Sequence, residues 1–300
     1  MRIVISGSSG LIGRAIVAEL SQAGHEITRL VRGGPSADRP SIFWNPLGDF
    51  LDPLPLEGFD AAIHLAGENI AAARWTSEQK DKILKSRVQS TQLLAKTLAG
   101  LRHKPRVFVC ASAVGFYGDR GAEIVDESSP AGKGFLAQVA AAWEEAARSA
   151  EAAGIRTVHL RLGAVLAAEG GMLPRLLPLF RWGLGAVLGP GTQFLSWVTL
   201  RDVVRAVTFL LEREDLSGPV NITSPNPVTN RDFSKALARA VGRPLFLRIP
   251  AWFLRLILGE MAQELFLAST RAVPRKLQSV GFEFEYPEID QALCQLVRRV

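Results

Sequence analysis

The first fourteen residues constrain the fold most, because an apolar run passes directly into three evenly spaced glycines. The sequence Arg-Ile-Val-Ile-Ser predicts a strand over residues 2–6, and Gly7, Gly10 and Gly13 follow it at a GxxGxxG spacing. In such a turn the first glycine lets the chain reverse, the second lets backbone approach a pyrophosphate, and the third lets a helix pack closely on the sheet. The pattern predicts an α/β fold with a Rossmann-like, doubly wound parallel sheet.

An apolar stripe after the turn predicts a helix that begins near Leu11 and ends at Gly24. The free N–H groups and the positive dipole end of a helix in this position bind phosphate groups. We therefore predict a dinucleotide site here rather than a plain strand–turn–helix. The cofactor-binding residues predicted in the turn are Gly7, Ser9, Gly10, Leu11, Ile12 and Gly13.

The end of the second predicted strand, Glu26–Val31, carries information about the cofactor. A site that prefers NAD usually places an acid about twenty residues beyond the glycines, whereas a basic residue there accommodates the 2′-phosphate of NADP. After this strand the first acid is Asp38, whereas Arg32 follows Val31 directly, with Arg29 nearby. Val31 and Arg32 therefore predict NADP, and the alternative is that Arg32 is a solvated loop residue.

Charge and cysteine content narrow the class of protein. The chain has 300 residues, 48% of them hydrophobic, and a formal net charge of +6, but its basic residues are spread along the sequence rather than clustered. We expect a small-molecule ligand rather than nucleic acid. Cys110 and Cys294 are far apart, so neither a disulfide framework nor a metal site is predicted, and a cytoplasmic location fits. The oligomeric state stays open.

The longest apolar stretch, Pro250–Ala268, raises the question of a membrane segment. It is interrupted by Arg255, Glu260 and Glu264, which favours a packed helix over a membrane span. We therefore expect a soluble protein with no membrane partner.

The remaining periodicities predict alternating strands and helices, followed by a tail of two or three helices from Pro250. The predicted strands are Ile42–Trp44, Phe59–Gly67, Arg106–Ala111, Arg156–Leu162 and Pro219–Thr223, and the predicted helices are Thr76–Ala99, Leu136–Ala153, Thr199–Glu212 and Thr229–Val241. A composition shift near Gly170 predicts a cofactor domain over residues 1–170, its sheet completed by the strand near 219–223. Residues 171–300 then form a smaller, mainly helical substrate lobe.

Two further strand ends carry candidate site residues. Leu65, Ala66 and Gly67 are placed to lie against the adenosine and ribose of a cofactor. Ser112 and Tyr117 form a hydroxyl pair in which Ser112 could polarise a carbonyl and Tyr117 could transfer a proton, if a positive charge lowered its pKa from about 10. The alternative is a loop serine and a half-buried tyrosine.

The chain resembles the short-chain dehydrogenase/reductase superfamily in its extended, epimerase-like branch, and most closely the atypical subgroup with a C-terminal helical extension of unknown function. The motifs that carry this resemblance are Gly7–Gly13, His64–Asn69, Ser86-Arg87, Ser112–Gly118, Trp143-Glu144, Arg161–Leu166, Trp197–Asp202, Asn221–Thr223 and the tail from Gly259 to Phe282. The resemblance implies a Rossmann-like domain, NADP binding and an epimerase-like activity. It also implies that Arg87 and the backbone of Val165 contact the cofactor.

One departure from the superfamily bears on catalysis. Active members pair a Tyr with a Lys four residues later on the helix after the serine strand, and here Phe135 and Val139 occupy the corresponding positions. Tyr117 resembles a second tyrosine of many extended members, and Lys133 is close enough in sequence to be a substitute cation.

Three functions therefore stay open. The first is an enzyme, an NADP-dependent oxidoreductase or epimerase that acts on a small polar, sugar-like substrate through Ser112 and Tyr117. The second is a non-catalytic NADP(H)-binding sensor, which the replaced Tyr–Lys pair favours. The third is an interaction protein for an acidic partner, which the dispersed charge makes the least favoured.

Overall fold

The computed structural model describes residues 1–34 and 39–298, and the chain packs into two compact units. The first unit contains Met1–Ser112, Val139–Leu160 and Val204–Val220, and the second contains Ala113–Gln138, Arg161–Val203 and the chain from Asn221 onward. The two units thus alternate along the sequence. The boundary near residue 170 stays a prediction about domains, because these units are defined by packing alone.

The strands alternate with helices through the first half of the chain and become short in the second half. They are β1 (Arg2–Ser6), β2 (Glu26–Val31), β3 (Ser41–Asn45), β4 (Phe50–Leu51), β5 (Ala61–His64), β6 (Val107–Ala113), β7 (Ile124–Val125), β8 (Arg156–Leu162), β9 (Ala164–Leu166), β10 (Ala186–Leu188), β11 (Phe194–Leu195), β12 (Trp197–Thr199), β13 (Gly218–Ile222), β14 (Val228–Thr229), β15 (Leu247–Ile249) and β16 (Arg271–Ala272).

The helices account for most of the chain between these strands. They are α1 (Leu11–Gln22), α2 (Ser77–Gly100), α3 (Phe135–Glu145), α4 (Arg148–Ala152), α5 (Leu173–Arg181), α6 (Leu200–Glu212), α7 (Asn230–Ala240), α8 (Ala251–Leu258), α9 (Glu260–Ala262), α10 (Arg275–Ser279) and α11 (Ile289–Val297). A π-helical turn, Gln263–Leu267, continues α9, and single 3-10 turns span Pro46–Gly48, Leu54–Leu56 and Val114–Tyr117.

Eight strands form one sheet in the order β13-β8-β6-β5-β1-β2-β3-β4, which confirms the predicted Rossmann-like architecture. Strand β1 pairs in parallel with β2 on one side and β5 on the other, and β4 closes the β3 edge in antiparallel orientation. The chain therefore runs outward from β1 in both directions, which makes the carboxyl end of β1 the point where a Rossmann-like sheet binds its ligand. Strand β13 occupies the sheet edge that the sequence assigned to residues 219–223.

Each unit has its own apolar core. In the first unit Trp44, Phe108 and Leu94 are buried together between the sheet and α2. In the second unit Trp197 and Phe180 are buried with residues of α7 and α11. None of the helices among residues 1–34 and 39–298 is long and apolar enough to cross a membrane.

Two predicted elements differ from the structure. The single helix expected over Leu136–Ala153 is divided into α3 and α4, with a tighter turn between them in which the Ala147 N–H donates to the Glu144 carbonyl at 3.1 Å. The strand expected over Phe59–Gly67 is limited to β5, because the chain leaves the ladder after His64 and pairs only once more, from the Leu65 N–H to the Ser6 carbonyl.

Candidate functional site

The glycine turn after β1 leaves almost no room around two of its three glycines. Gly7 has a φ of +69°, and a Cβ there would lie 2.6 Å from the Leu65 carbonyl carbon. A Cβ on Gly13 would collide with the Gly7 carbonyl oxygen and come within 2.8 Å of the Ser8 Cα. These two glycines are therefore required by the fold itself.

Gly10 differs from its two neighbours, because it is exposed and its φ of −72° suits any residue. The nearest atom to a Cβ there is the Gly7 carbonyl oxygen, at 3.4 Å, so the fold does not exclude a side chain. Space outside Gly10 thus stays open to a ligand that approaches the backbone.

The N-terminus of α1 has backbone N–H groups that are placed to bind an anion. Gly10 is its N-cap, no side chain caps the first turn, and that turn contains no acidic residue. Ser9 is exposed beside it, Leu11 and Ile12 are half-buried in the turn, and Arg14 donates to the Ser9 carbonyl at 2.9 Å. Free N–H groups, the helix dipole and a nearby guanidinium all favour a phosphate at this position.

Three arginines lie at or near the end of β2, namely Arg29, Arg32 and Arg39. Val31 and Arg29 are half-buried there, and Arg32 is exposed. Burial, followed by the neighbouring charge of Arg39, lowers the pKa of the Arg29 guanidinium. Arg29 and Arg39 therefore repel each other in the free protein, and an anion between them would relieve that repulsion. Asp38, the first acid after this strand, lies outside the described residues.

The end of β5 meets the glycine turn. Leu65 and Ala66 are half-buried and border Gly7, while Gly67 is exposed. Arg87 of α2 packs against Gly67, and its guanidinium carbon lies 4.9 Å from the centroid of the Trp143 ring. The structure thus brings the predicted turn, the residues after β5 and Arg87 together in the first unit.

Arg87 is held rigidly in this position. Its Nη1 donates to the Ile83 carbonyl at 3.1 Å, and burial lowers its pKa to about 10, with Glu68 acting in the opposite direction. The group is therefore still a cation at neutral pH, and its charge is only partly hydrated. A negatively charged or polar ligand group would restore that lost hydration.

His64 is fixed as a structural residue. Its Nδ1 lies 2.6 Å from the Ser6 hydroxyl and its Nε2 lies 3.2 Å from the Ser90 hydroxyl. Burial lowers its pKa to about 3, so the ring is neutral at physiological pH.

Ser112 is buried in the interior of the first unit. It donates from Oγ to the Glu144 carboxylate at 2.7 Å, and its side chain is on the same face of β6 as Cys110 and Phe108. Glu144 is therefore the partner that fixes this hydroxyl, a contact that sequence reasoning missed although it had singled out the Trp143-Glu144 motif.

Tyr117 is buried in the second unit, with no exposed surface. Its hydroxyl donates to Asn221 Oδ1 at 2.7 Å and accepts from Arg161 Nη1 at 3.0 Å. Burial raises the pKa of Tyr117 to about 12, although Arg161 acts to lower it. Since its proton is already bound by Asn221, this arrangement weighs against proton transfer from Tyr117 to a substrate.

The buried polar group around Tyr117 also includes a carboxylate. Glu127 accepts from the Asn221 backbone N–H at 3.0 Å and from the Lys276 N–H at 3.3 Å. Burial raises the pKa of Glu127. Arg161 lies over the Phe116 ring, 3.5 Å from its centroid, so the charge is covered by an aromatic face.

A cavity of about 60 Å³ lies in the second unit beside the loop after β6. Its lining combines Gly115 and Gly118, the apolar Leu136 and Ala268, and polar residues that include Lys133 and Glu264. This volume holds a few waters or one small polar group and is well below the roughly 300–1,000 Å³ of a typical ligand pocket.

The N-terminus of α3 is occupied by a residue from the C-terminal tail. The Glu264 carboxylate accepts from the backbone N–H groups of Phe135 and Leu136, both at 3.1 Å. Phe135 and Val139 occupy the positions that correspond to the Tyr–Lys pair described above. Phe135 is half-buried and Val139 is buried. No sequence signal indicated this cap, because it joins residues about 130 positions apart.

Val165 lies in the second unit, half-buried in β9, where it is opposite Val198 of β12. Its contact with a cofactor stays a prediction. No group of three His, Cys, Asp or Glu side chains within the described ranges could hold a metal ion.

Sequence comparison identifies two families. The profile of the NAD dependent epimerase/dehydratase family matches residues 3–223, and a domain of unknown function, DUF1731, matches residues 249–296. An epimerase family protein of Mycobacterium bovis is 44% identical over 291 residues, covering 97% of this chain and 96% of that protein.

Structure comparison gives the same result. The crystal structure of the human epimerase family protein SDR39U1 (isoform 2) with NADPH has a TM-score of 0.90 at 32% identity and covers 100% of both chains. The UDP-N-acetylglucosamine 4-epimerase of Bacillus cereus has a TM-score of 0.76 at 19% identity, covering 100% of this chain and 99% of that one. This second similarity concerns the fold alone.

We predict that Gly10→Val and Gly13→Ala affect the protein in opposite ways. Gly10→Val should leave the free energy of unfolding within about 1 kcal/mol of wild type and weaken NADPH binding at least about tenfold, because its side chain enters the open space. Gly13→Ala should instead lower the unfolding free energy by more than about 2 kcal/mol, since its Cβ meets backbone.

Urea denaturation and calorimetric titration with NADPH measure both quantities on the same preparations. Wild-type affinity in a folded Gly10→Val variant would show that no ligand approaches this turn.

We also predict that Tyr117→Phe destabilises the fold. The change removes two buried hydrogen bonds, from the Tyr117 hydroxyl to Asn221 Oδ1 and from Arg161 Nη1 to that hydroxyl, which should lower the unfolding free energy by about 1–3 kcal/mol. Phenylalanine keeps the aromatic ring, so the variant removes the hydroxyl without removing ring packing. Urea denaturation of the variant and of wild type is the measurement, and unchanged stability of Tyr117→Phe contradicts a structural role for the hydroxyl.

Proposed function

The chain belongs to the NAD dependent epimerase/dehydratase family, and from that premise we propose that it binds NADP(H) in its first unit and acts chiefly as a nucleotide-binding protein. The observation that carries the proposal is the turn from Gly7 to Gly13. Two of its glycines are needed for the fold, whereas Gly10 leaves open space at an uncapped helix N-terminus. An exposed site with these properties suits a pyrophosphate.

The remaining parts of the nucleotide are assigned to neighbouring groups. Residues Leu65 to Gly67 lie beside the turn and would contact the adenosine and ribose side. Arg32, Arg29 and Arg39 would hold the 2′-phosphate that distinguishes NADP from NAD. The human relative crystallised with NADPH supports the choice of nucleotide.

Bound NADPH would supply a hydride. Whether the chain is an enzyme or a sensor therefore depends on whether one of its side chains can supply the proton that a reduction also needs. Phe135 and Val139 have no titratable group, and Ser112 donates its hydroxyl to Glu144. Tyr117 is buried, and its hydroxyl is held by Asn221 and Arg161. These observations favour a non-catalytic sensor or regulatory protein that responds to NADP(H).

A second candidate function is an NADP-dependent oxidoreductase or epimerase that acts on a small polar, sugar-like substrate. The polar lining of the cavity beside Gly115 and Gly118 favours it, because Lys133 and Glu264 place a cation and an anion where one polar group of such a substrate would bind. In this candidate Lys133 polarises or protonates the substrate, and Ser112 and Tyr117 keep the roles predicted for the hydroxyl pair after β6. For either function we propose a cytoplasmic location, since neither Cys110 nor Cys294 forms a disulfide.

We predict that the chain binds NADPH more tightly than NADH, and that this preference depends on Arg32. A charged hydrogen bond to phosphate contributes about 1.5–3 kcal/mol, or roughly ten- to a hundredfold in affinity. Arg32→Ala should therefore weaken NADPH binding by that factor and leave NADH binding nearly unchanged. Arg102→Ala, at an exposed position elsewhere in the first unit, is the matched control. Equal affinities of wild type for both nucleotides would refute the assignment.

The two candidate functions are separated by single-turnover oxidation of bound NADPH with a panel of small carbonyl compounds and sugar nucleotides. For a sensor we expect no oxidation with any compound, while NADPH binding persists. Oxidation that Lys133→Met or Tyr117→Phe slows by about 10²–10⁴-fold would instead establish the oxidoreductase and identify the proton donor. Any rate is to be compared among variants that bind NADPH as wild type does.

A further inference from the structure

Helix α8 of the C-terminal tail exposes a largely apolar outer face, on which Arg255 is the one charged residue. Its inner positions, including Leu254, pack into a small core with Ala262 and Leu267. Trp252 is 65% exposed and Leu256 is 69% exposed, and both lie on the opposite side. Phe253 and Ile257 extend the outer face, and the Phe253 ring stands edge-on to Trp252 at 5.7 Å. A folded protein rarely leaves four such neighbours in water without a use for them.

The segment that leads into α8 also exposes apolar side chains. Phe246 is 84% exposed immediately before β15, and β15 pairs in parallel with β10 so that Leu247 is opposite Ala186. Trp182 and Leu184, which precede β10, are also exposed. The pairing therefore places two runs of exposed apolar side chains alongside each other.

The charges in these two runs are all positive. No acidic residue occurs over residues 170–201 or over residues 233–259, which contain β10, β15 and α8. Arg181, Arg243 and Arg248 flank the exposed apolar residues, and Arg243 donates from Nε to the Arg181 carbonyl at 3.0 Å. Although basic residues are spread along the whole sequence, this part of the surface is positively charged and lies beside exposed aromatic rings.

We propose that this surface, formed by residues 181–184, 243–248 and the outer face of α8, binds the surface of an anionic lipid bilayer. Trp, Phe, Leu and Ile side chains enter the region between headgroups and acyl chains, and the arginines bind lipid phosphates. Helix α8 has only 8 residues, so it lies on the membrane rather than spanning it. The proposal revises the expectation that no membrane is involved, which considered spanning segments alone.

Charge decides between a bilayer and a second copy of this chain. Two copies that met through this surface would bring arginines against arginines without an acid from either run to pair with them. The shape of the surface also favours a bilayer over a second copy, because the side chains on the outer face of α8 project from a convex helix. A fluid bilayer admits such side chains without needing complementary pockets.

The test is co-sedimentation of the full chain with vesicles of phosphatidylcholine alone or with phosphatidylglycerol added. We expect binding to anionic vesicles that weakens as salt rises. The double variant Trp252→Ser with Leu256→Ser should bind at least about tenfold more weakly, since two exposed apolar side chains no longer enter the bilayer. Leu54→Ser, which alters a residue that is 78% exposed in the first unit, is the control and should bind as wild type does.

A charge variant tests the electrostatic part. Arg181→Gln should weaken binding to anionic vesicles about fivefold, whereas Arg102→Gln, at an exposed position of the first unit, should not. Circular dichroism and NADPH titration confirm that each variant is folded.

Three results would overturn the proposal. The first is that wild type pellets with neither kind of vesicle, and the second is that the double variant and wild type bind equally well. The third is concentration-dependent dimerisation in sedimentation velocity that the double variant abolishes while vesicle binding persists in it, which would assign the surface to a second copy.

Discussion

The close approach of Gly13 to the Gly7 carbonyl and of Gly7 to the Leu65 backbone is the constraint on which the first unit depends. It fixes the angle at which α1 leaves β1 and the distance from β1 to the end of β5. Because two glycines are used for this packing, the third is left with open space in front of it. The same compact turn that orders the sheet therefore produces an exposed helix N-terminus, which is the proposed phosphate site.

The candidate catalytic residues illustrate how similar side chains can acquire structural roles. Ser112 and Tyr117 each have a hydroxyl that hydrogen bonds inside its own unit, one to Glu144 and the other to Asn221. A buried hydroxyl with satisfied hydrogen bonds stabilises the fold, and using it for proton transfer would break those bonds. Both hydroxyls of this chain make such bonds, which supports the proposed sensor over the proposed enzyme.

The C-terminal tail performs two distinct physical roles. Glu264 supplies the carboxylate that caps α3, which neutralises orphan N–H groups at the start of that helix. Helix α8, in contrast, buries only one side and exposes aromatic and aliphatic residues on the other. A segment matched by a domain of unknown function thus combines an internal contact with an external apolar surface.

Local patterns are enough to predict the sheet and the glycine turn, because both depend on β-branched runs, spaced glycines and helical stripes within about twenty residues. It also indicated the basic end of β2, since the residue after a strand is set by chain order. The interruption between α3 and α4 was not visible, because both halves have the same alanine-rich composition.

Which polar side chains already have hydrogen-bond partners inside the protein is known only from the folded chain. The contacts Ser112 to Glu144, Tyr117 to Asn221 and Glu264 to the start of α3 join residues 32, 104 and about 130 positions apart. No periodicity encodes such pairs, and the burial that raises the pKa of Tyr117 depends on all the elements around it. Because burial depends on contacts between distant elements, the sequence pattern of residues 250–268 predicted only a packed helix. Which face of α8 remains in water is fixed by what packs against it, and that is a property of the folded chain.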